Sequence, residues 1–381
     1  MKYGAGFVHY KRLKTAPASK VEQLAALTGL RGFAALWVVS LHFLGDTNTL
    51  LPASTTFNWF MGAGSNAVPL FFVLSGFILL HTYHGRFNFF SWREYFRFIG
   101  LRLARIYPAY LAALVAMVLL VAASRLTGAP YNHGAYPLQW LPAEVFMLHS
   151  WVVMPSPFTG WNYPDWSVSA EWFAYLFVFP LAVWLVKKIS GARNITVALL
   201  ALILCALEPA IRTEWKLSTV SLLFIAGALL WDLRRRLVSS GWKIPPHLDA
   251  LAFTLLLATV WSGSFISWKP AAFGILLAVM LLIFGLCNED GIFSRLLATP
   301  PCIFLGEISY SIYLIHGCVL RLAKVLLPAQ KFTGSTLPVR SAICLTELSA
   351  VLLSATLLYF LVEHPARNWL RRIFSRPQTY R

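Results

Sequence analysis

The chain is built from long apolar blocks separated by short polar segments. Stretches such as Tyr110 to Ala123 and Phe173 to Val186 run almost without polar interruption. A helix needs about 20 such residues to cross the hydrocarbon core of a bilayer. The blocks predict ten crossings, at 27–46, 64–83, 104–123, 167–186, 195–211, 217–233, 248–266, 270–288, 302–324 and 340–361. The expected fold class is an all-α integral membrane protein, a bundle of about ten transmembrane helices. Around it the chain divides into a basic N-terminal arm, 1–26, a membrane domain, 27–363, and a basic tail, 364–381. The stretch from Ser124 to Asp165, rich in Pro, Trp, Tyr and His, is the long loop, with room for an interfacial or re-entrant helix around Leu141 to Trp151.

Ten crossings put both termini on one side, and the basic residues say which. Cytoplasmic loops retain Lys and Arg. The arm through Arg31, the segment Arg86 to Arg105, the loop from Lys187 to Arg193, the loop from Arg234 to Lys243, Arg295 and the tail from Arg367 together hold 24 of the 32 basic residues. These segments alternate with the basic-poor ones, so both termini are expected in the cytoplasm. The run that begins near Leu27 is too long for a signal peptide and lacks a small-residue cleavage site, so it is expected to remain as the first membrane helix.

Composition agrees with this reading. Hydrophobic residues make up 58% of the 381 positions and charged ones 12%, with a mean hydropathy of +0.65. That charged fraction is roughly half that of a soluble domain. A net charge of +17 alone suggests a nucleic-acid binder, but here the cations are dispersed over alternating loops, and no nucleic-acid partner is expected. The 15 tryptophans suit rings anchored at two membrane interfaces. Cys205, Cys287, Cys302, Cys318 and Cys344 lie in or beside apolar stretches with no CxxC and no metal-ligand spacing, so they read as packing residues and no metal is expected.

Ionisable groups in hydrocarbon are costly, which makes each one inside a span a functional candidate. Arg31 and His42 are eleven residues apart on the first helix. That spacing returns to within about 20° of the same face, roughly 16 Å further along the axis. The bland reading is an interfacial anchor and a histidine bonded to a neighbouring helix; the functional one is a cation and an imidazole serving one site. Asp46, four residues beyond His42, is either the acceptor of its imidazole N–H or a solvated loop carboxylate. Arg102 and Arg105 share a face as the third helix enters the membrane, which suits phosphate as well as anchoring. Glu171 is expected at a depth similar to that of His42, either meeting it or capping its own helix. His316 falls mid-membrane in Gly306-Glu307-Ile308-Ser309-Tyr310-Ser311-Ile312-Tyr313-Leu314-Ile315-His316, and Glu363 follows the tenth helix, where a tail arginine is a natural partner.

Taken in order, these segments resemble the acyltransferase 3 family of membrane acyltransferases. Arg31 through His42 resembles its R-x10-H signature, and Leu70-Phe71-Phe72-Val73-Leu74-Ser75-Gly76-Phe77 its second-helix motif. Arg102 and Arg105 fit its RxxR, and Trp166-Ser167-Val168-Ser169-Ala170-Glu171 is a variant of its W-S-[LV]-S-x-E. Gly306 to His316 and Glu363-His364-Pro365 are similar to its closing motifs. The resemblance spans about Leu24 to Arg372, with one departure at Ala170-Glu171-Trp172, where many members carry two acids. The early end of the chain fits the stand-alone form, without a fused periplasmic hydrolase-like domain.

The resemblance implies a bacterial inner-membrane enzyme that moves an acyl group, usually acetyl, from cytoplasmic acyl-CoA to a hydroxyl of a sugar, glycan or glycolipid on the far side. Acyl-CoA would be a donor substrate, with no permanently bound cofactor. By the same resemblance Arg31, Arg102 and Arg105 would hold the donor's phosphates, His42 would act as base or acyl carrier, and Glu171 would orient His42 or the sugar. Ser75, Tyr310, His316, Glu363 and Asp46 are the further candidates. The rival from another class is a multi-pass transporter or flippase, in which His42, Glu171 and His316 would form a path; the lack of an inverted repeat weighs against it. Nothing in the sequence fixes an oligomeric state.

Overall fold

A computed structural model of the chain describes residues 24–51, 55–85, 91–128, 136–151, 160–188, 216–263 and 268–375. The expected span 195–211, Cys205 and most of the N-terminal arm lie outside the described residues. Among the described residues the regular structure is helical, with no strand. The helices are α1 (Ala25–Leu50), α2 (Thr55–Gly62), α3 (Ala67–Tyr83), α4 (Trp92–Thr127), α5 (Leu141–Val145), α6 (Trp166–Phe173), α7 (Phe179–Lys188), α8 (Lys216–Ser239), α9 (Leu248–Ser262), α10 (Trp268–Gly285), α11 (Ile292–Leu297), α12 (Pro300–Glu307), α13 (Ser309–Leu326), α14 (Leu337–Leu358) and α15 (His364–Ser375).

Six helical stretches among the described residues are long and apolar enough to cross a bilayer: Ala25–Leu50, Thr56–Tyr83, Trp92–Thr127, Tyr163–Lys188, Leu217–Ser239 and Leu337–Phe374. The pair α12 and α13, bent by 62° at their junction, is together long and apolar enough for a broken span or a re-entrant loop. The seventh and eighth expected helices appear as two shorter apolar helices, Leu248–Ser262 and Phe273–Gly285, packed on each other. A helix of 15 residues is about 22 Å long, less than the roughly 30 Å hydrocarbon core. The basic tail differs from a simple extension: its first residues form α15, which packs on α4.

Two close helix contacts set the frame. Without a hydrophobic driving force between helices in lipid, backbones approach where side chains are small. A Cβ on Gly76 of α3 would strike the Phe224 carbonyl of α8, and one on Gly227 of α8 would strike the Val73 carbonyl of α3. A Cβ on Gly306 of α12 would likewise strike the Thr28 carbonyl of α1. These contacts bring α1, α3, α8 and α12 together around the buried Leu27, Leu70, Phe77 and Phe224.

Local chemistry sets where the helices start, stop and bend. Ser91 caps α4, its hydroxyl accepting from Glu94 N–H at 3.4 Å, and Gly128 ends it at φ +66°. At the α12–α13 break the Gly306 carbonyl accepts from the Ser309 hydroxyl at 2.8 Å, which satisfies a polar group the bend would otherwise expose. Two π-helical segments, Ala174–Val178 and Tyr359–Glu363, follow Glu171 and end in Glu363. Such insertions re-aim side chains and recur at functional sites.

The described parts of the segment between α4 and α6, 136–151 and 160–165, pack on α4 and α13 as a cap. Glu144, fully buried in α5, accepts from Trp161 N–H at 2.9 Å and from the Tyr110 hydroxyl at 3.2 Å, with His149 Nδ1 at 3.1 Å. Burial pushes the Glu144 carboxyl up to about 7. Asn162 ties the cap to α13 through Leu314 O at 2.8 Å and to Asp165 at 2.9 Å.

Candidate active site

Arg31, Ser75, Arg102, Arg105, Glu171, Tyr175, Tyr310 and Tyr313 line one cavity of about 210 Å³, brought there by α1, α3, α4, α6 and α13. Its remaining wall is mostly apolar, with Val68, Phe71, Leu74 and Ile78 among the contributors, and carries the hydroxyls of Thr28, Ser167 and Ser309. Arg31 shares this cavity with Glu171 and Tyr175, and it feels the attraction of the Glu171 carboxylate and the opposition of the Arg367 guanidinium. Arg102 donates to the Tyr83 hydroxyl at 2.9 Å and stands 5.3 Å from that ring's centre. Arg105 forms an ion pair with Glu363, which also accepts from the Ser311 hydroxyl at 2.7 Å and lies 3.6 Å from Arg367. The tail arginine expected beside Glu363 is therefore present, but Arg105 is its closer partner.

Glu171 belongs to this cavity. It accepts from the Ser75 hydroxyl at 3.3 Å and from the Tyr175 hydroxyl, so its recorded hydrogen bonds do not go to His42. Contact with His42 is one of two readings of Glu171, and its hydrogen bonds follow neither: a carboxylate among guanidinium groups is stabilised far more than beside a neutral imidazole.

The partner of His42 is His316. Their rings stack at 4.9 Å, with His316 Nε2 and His42 Nδ1 2.9 Å apart, and Tyr163 of the cap meets the other side of His42 edge-on at 4.8 Å. His316 is 1% exposed, and its Nδ1 lies 3.2 Å from the Ile312 carbonyl. A carbonyl only accepts, so His316 Nδ1 carries the proton and its Nε2 is an acceptor. His42 must then donate from Nδ1, which leaves its Nε2 lone pair free. Asp46 takes no part in this chain of bonds; it is buried near Glu347 of α14.

The cavity and the histidine pair meet at Tyr313. This ring lines the cavity and stands 5.9 Å from that of His316, while its hydroxyl is 2.6 Å from Ser167 Oγ and donates to Pro164 O at 3.1 Å. Reading the sequence singled out neither Tyr175 nor Tyr313. Both lie inside recognised motifs, but a buried tyrosine is ordinary in a helix bundle, and only the fold shows them facing the cavity.

The acyltransferase domain family matches residues 24–360. The chain is 29% identical to the acyltransferase MdmB of Streptomyces mycarofaciens, over 93% of this chain and 94% of that one. It is 28% identical to the putative peptidoglycan O-acetyltransferase YrhL of Bacillus subtilis (strain 168), over 93% of this chain and 56% of that longer protein. No solved structure matches the chain significantly. With the family match covering the helices that carry Arg31, His42, Arg105, Glu171 and His316, the chain belongs to the acyltransferase 3 family of membrane acyltransferases.

Proposed function

We propose that the protein transfers an acyl group, acetyl in the simplest case, from cytoplasmic acyl-CoA to a sugar-type hydroxyl on the outer side of the membrane. The observation that carries this reading is the shared position of two stations on α1. Arg31 lines a cavity with two further arginines, and His42, about 16 Å further along the helix, has its free Nε2 set by His316. The positive-inside asymmetry of the sequence supports a cytoplasmic Arg31 end, on the side where acyl-CoA is made. A glycan acceptor is supported by the name of the B. subtilis relative, a putative peptidoglycan O-acetyltransferase.

In the reaction, His42 Nε2 takes the proton of the acceptor hydroxyl while its oxygen bonds to the thioester carbonyl carbon. The resulting oxyanion collapses, the carbon–sulfur bond breaks, and the thiolate of CoA leaves with the proton held on His42. While His42 is an imidazolium, its Nδ1–H to His316 Nε2 becomes a charge-assisted and stronger bond. Guanidinium groups of Arg31, Arg102 and Arg105 hold the donor, and the apolar part of the cavity wall accommodates its extended pantetheine arm.

Thermal unfolding of the purified protein with CoA tests the donor assignment. At a concentration 100 times the dissociation constant, a ligand that binds only the folded state adds about 2.7 kcal/mol of stability. CoA and acetyl-CoA are expected to raise the Tm of the wild type, and Arg31→Ala and Arg102→Ala are expected to reduce that rise. No shift at millimolar CoA would remove the donor assignment.

A further inference from the structure

The inner cavity is about 210 Å³ and most of its lining is apolar, which suits the donor's pantetheine arm better than its phosphate-rich end. A second cavity of about 360 Å³ adjoins the first through Arg102 and Arg105, which line both. It adds Arg97 of α4 and Arg367 and Arg371 of α15, against one carboxylate, Glu94. We propose that this vestibule is the site for the adenosine 3′-phosphate and diphosphate of the donor, with Arg97, Arg367 and Arg371 as its phosphate ligands. This rests on the acyl-CoA reading above and names residues beyond those that line the inner cavity.

Three observations carry it. First, the charges are unbalanced. The buried Glu363 is already shared by Arg105 and Arg367, and no carboxylate among the described residues pairs with Arg97 or Arg371. Second, donors are left over inside the site: the Nε atoms of Arg102 and Arg367 are buried without a hydrogen-bond partner. Clustered guanidinium groups with unused donors repel one another until a polyanion arrives, and a planar fork matches phosphate oxygens. Third, the vestibule is built by packing. Arg367 and Arg371 are four residues apart on one face of α15. That helix is seated by Phe374, whose ring lies where a Cβ on Gly100 of α4 would approach to 2.6 Å. On another wall, Tyr83 offers a ring beside which a nucleobase can lie.

The test compares CoA, 3′-dephospho-CoA and phosphopantetheine as ligands of the detergent-purified full chain, by competition against labelled CoA. The wild type is expected to bind CoA at least tenfold more tightly than 3′-dephospho-CoA, since a hydrogen bond to a charged group contributes about 1.5–3 kcal/mol. Arg371→Ala is expected to weaken CoA about tenfold and to leave 3′-dephospho-CoA unchanged, and Arg97→Ala to act in the same sense. No weakening of CoA by either substitution, or no discrimination by the wild type, would overturn the vestibule assignment while leaving acyl-CoA as donor. A wild type that binds none of the three at millimolar concentration would overturn both. Phosphopantetheine bound as tightly as CoA would instead assign the basic vestibule to a protein that carries the donor arm.

Discussion

His42 Nδ1 and His316 Nε2 lie 2.9 Å apart, joining α1 to α13 across 274 residues of sequence. The Ile312 carbonyl fixes the protons of both rings, because it demands a donor at His316 Nδ1 and so makes His42 a donor at Nδ1. His316 acts through His42 rather than on the substrate, which makes it a positioning residue.

That role predicts a graded response. His316→Ala removes the acceptor, frees His42 to adopt the wrong tautomer and is expected to lower kcat about 100-fold, within the usual range for acid–base catalysis, with KM for acetyl-CoA little changed. His316→Gln supplies an amide oxygen that can accept from His42 Nδ1–H and is expected to recover part of the rate. Steady-state kinetics of the three proteins decide the point, and equal losses in Ala and Gln would argue for simple packing.

The ion pair of Arg105 and Glu363 predicts an asymmetry between single and double substitutions. Glu363 is 1% exposed, so Glu363→Gln leaves a largely buried guanidinium short of its counter-charge. A loss of about 3 kcal/mol is expected, at the lower end for broken buried pairs because Arg105 keeps some access to water. Arg105→Met with Glu363→Met is expected to regain most of that stability and still to bind CoA weakly. Thermal melts with and without CoA separate the two effects.

How much of this was legible in the sequence follows from range. Apolar blocks announce α1, α3, α4 and α8 because a membrane helix satisfies its own backbone and needs only its own residues. The spacing of Arg31 and His42 is a helix-internal fact for the same reason. The meeting of His42 with His316, the turn of Glu171 towards Ser75 and the pairing of Arg105 with Glu363 depend on which helices touch, and spacing along one helix carries no such information. The 62° bend between α12 and α13 was hidden too, since one expected span, 302–324, was drawn straight across it despite Glu307 and Ser309.

Packing of α3 on α8 supplies a stability prediction. A Cβ at Gly227 has no room beside the Val73 backbone, and a backbone carbonyl cannot swing away as a side-chain end can. Gly227→Val is expected to cost about 1–3 kcal/mol or more and to lower the yield of folded protein, whereas substitution of Gly45, with nothing within 4 Å, is expected to be tolerated. Size-exclusion profiles and melts of the two variants test the contrast.

The cap carries a pH dependence through Glu144. Its folded pKa is raised by burial from an ordinary carboxylate value to about 7. Its contribution to cap stability is therefore fully present below the unfolded pKa of about 4.5 and is lost as pH rises through about 7. Amide exchange in residues 136–151 is expected to show better protection relative to the membrane helices at pH 5.5 than at pH 8.5. Glu144→Gln, neutral at every pH, is expected to flatten that difference.

The most direct measurement supplies radiolabelled acetyl-CoA to inside-out membrane vesicles containing the protein and its native glycans, and follows label released from glycan by mild base. Wild-type vesicles are expected to build up base-labile label, and vesicles holding the same amount of folded His42→Ala protein are expected to lose at least 99% of it, on the order of the 100-fold effect of a missing general base. Labelling by His42→Ala at the wild-type rate would contradict the account.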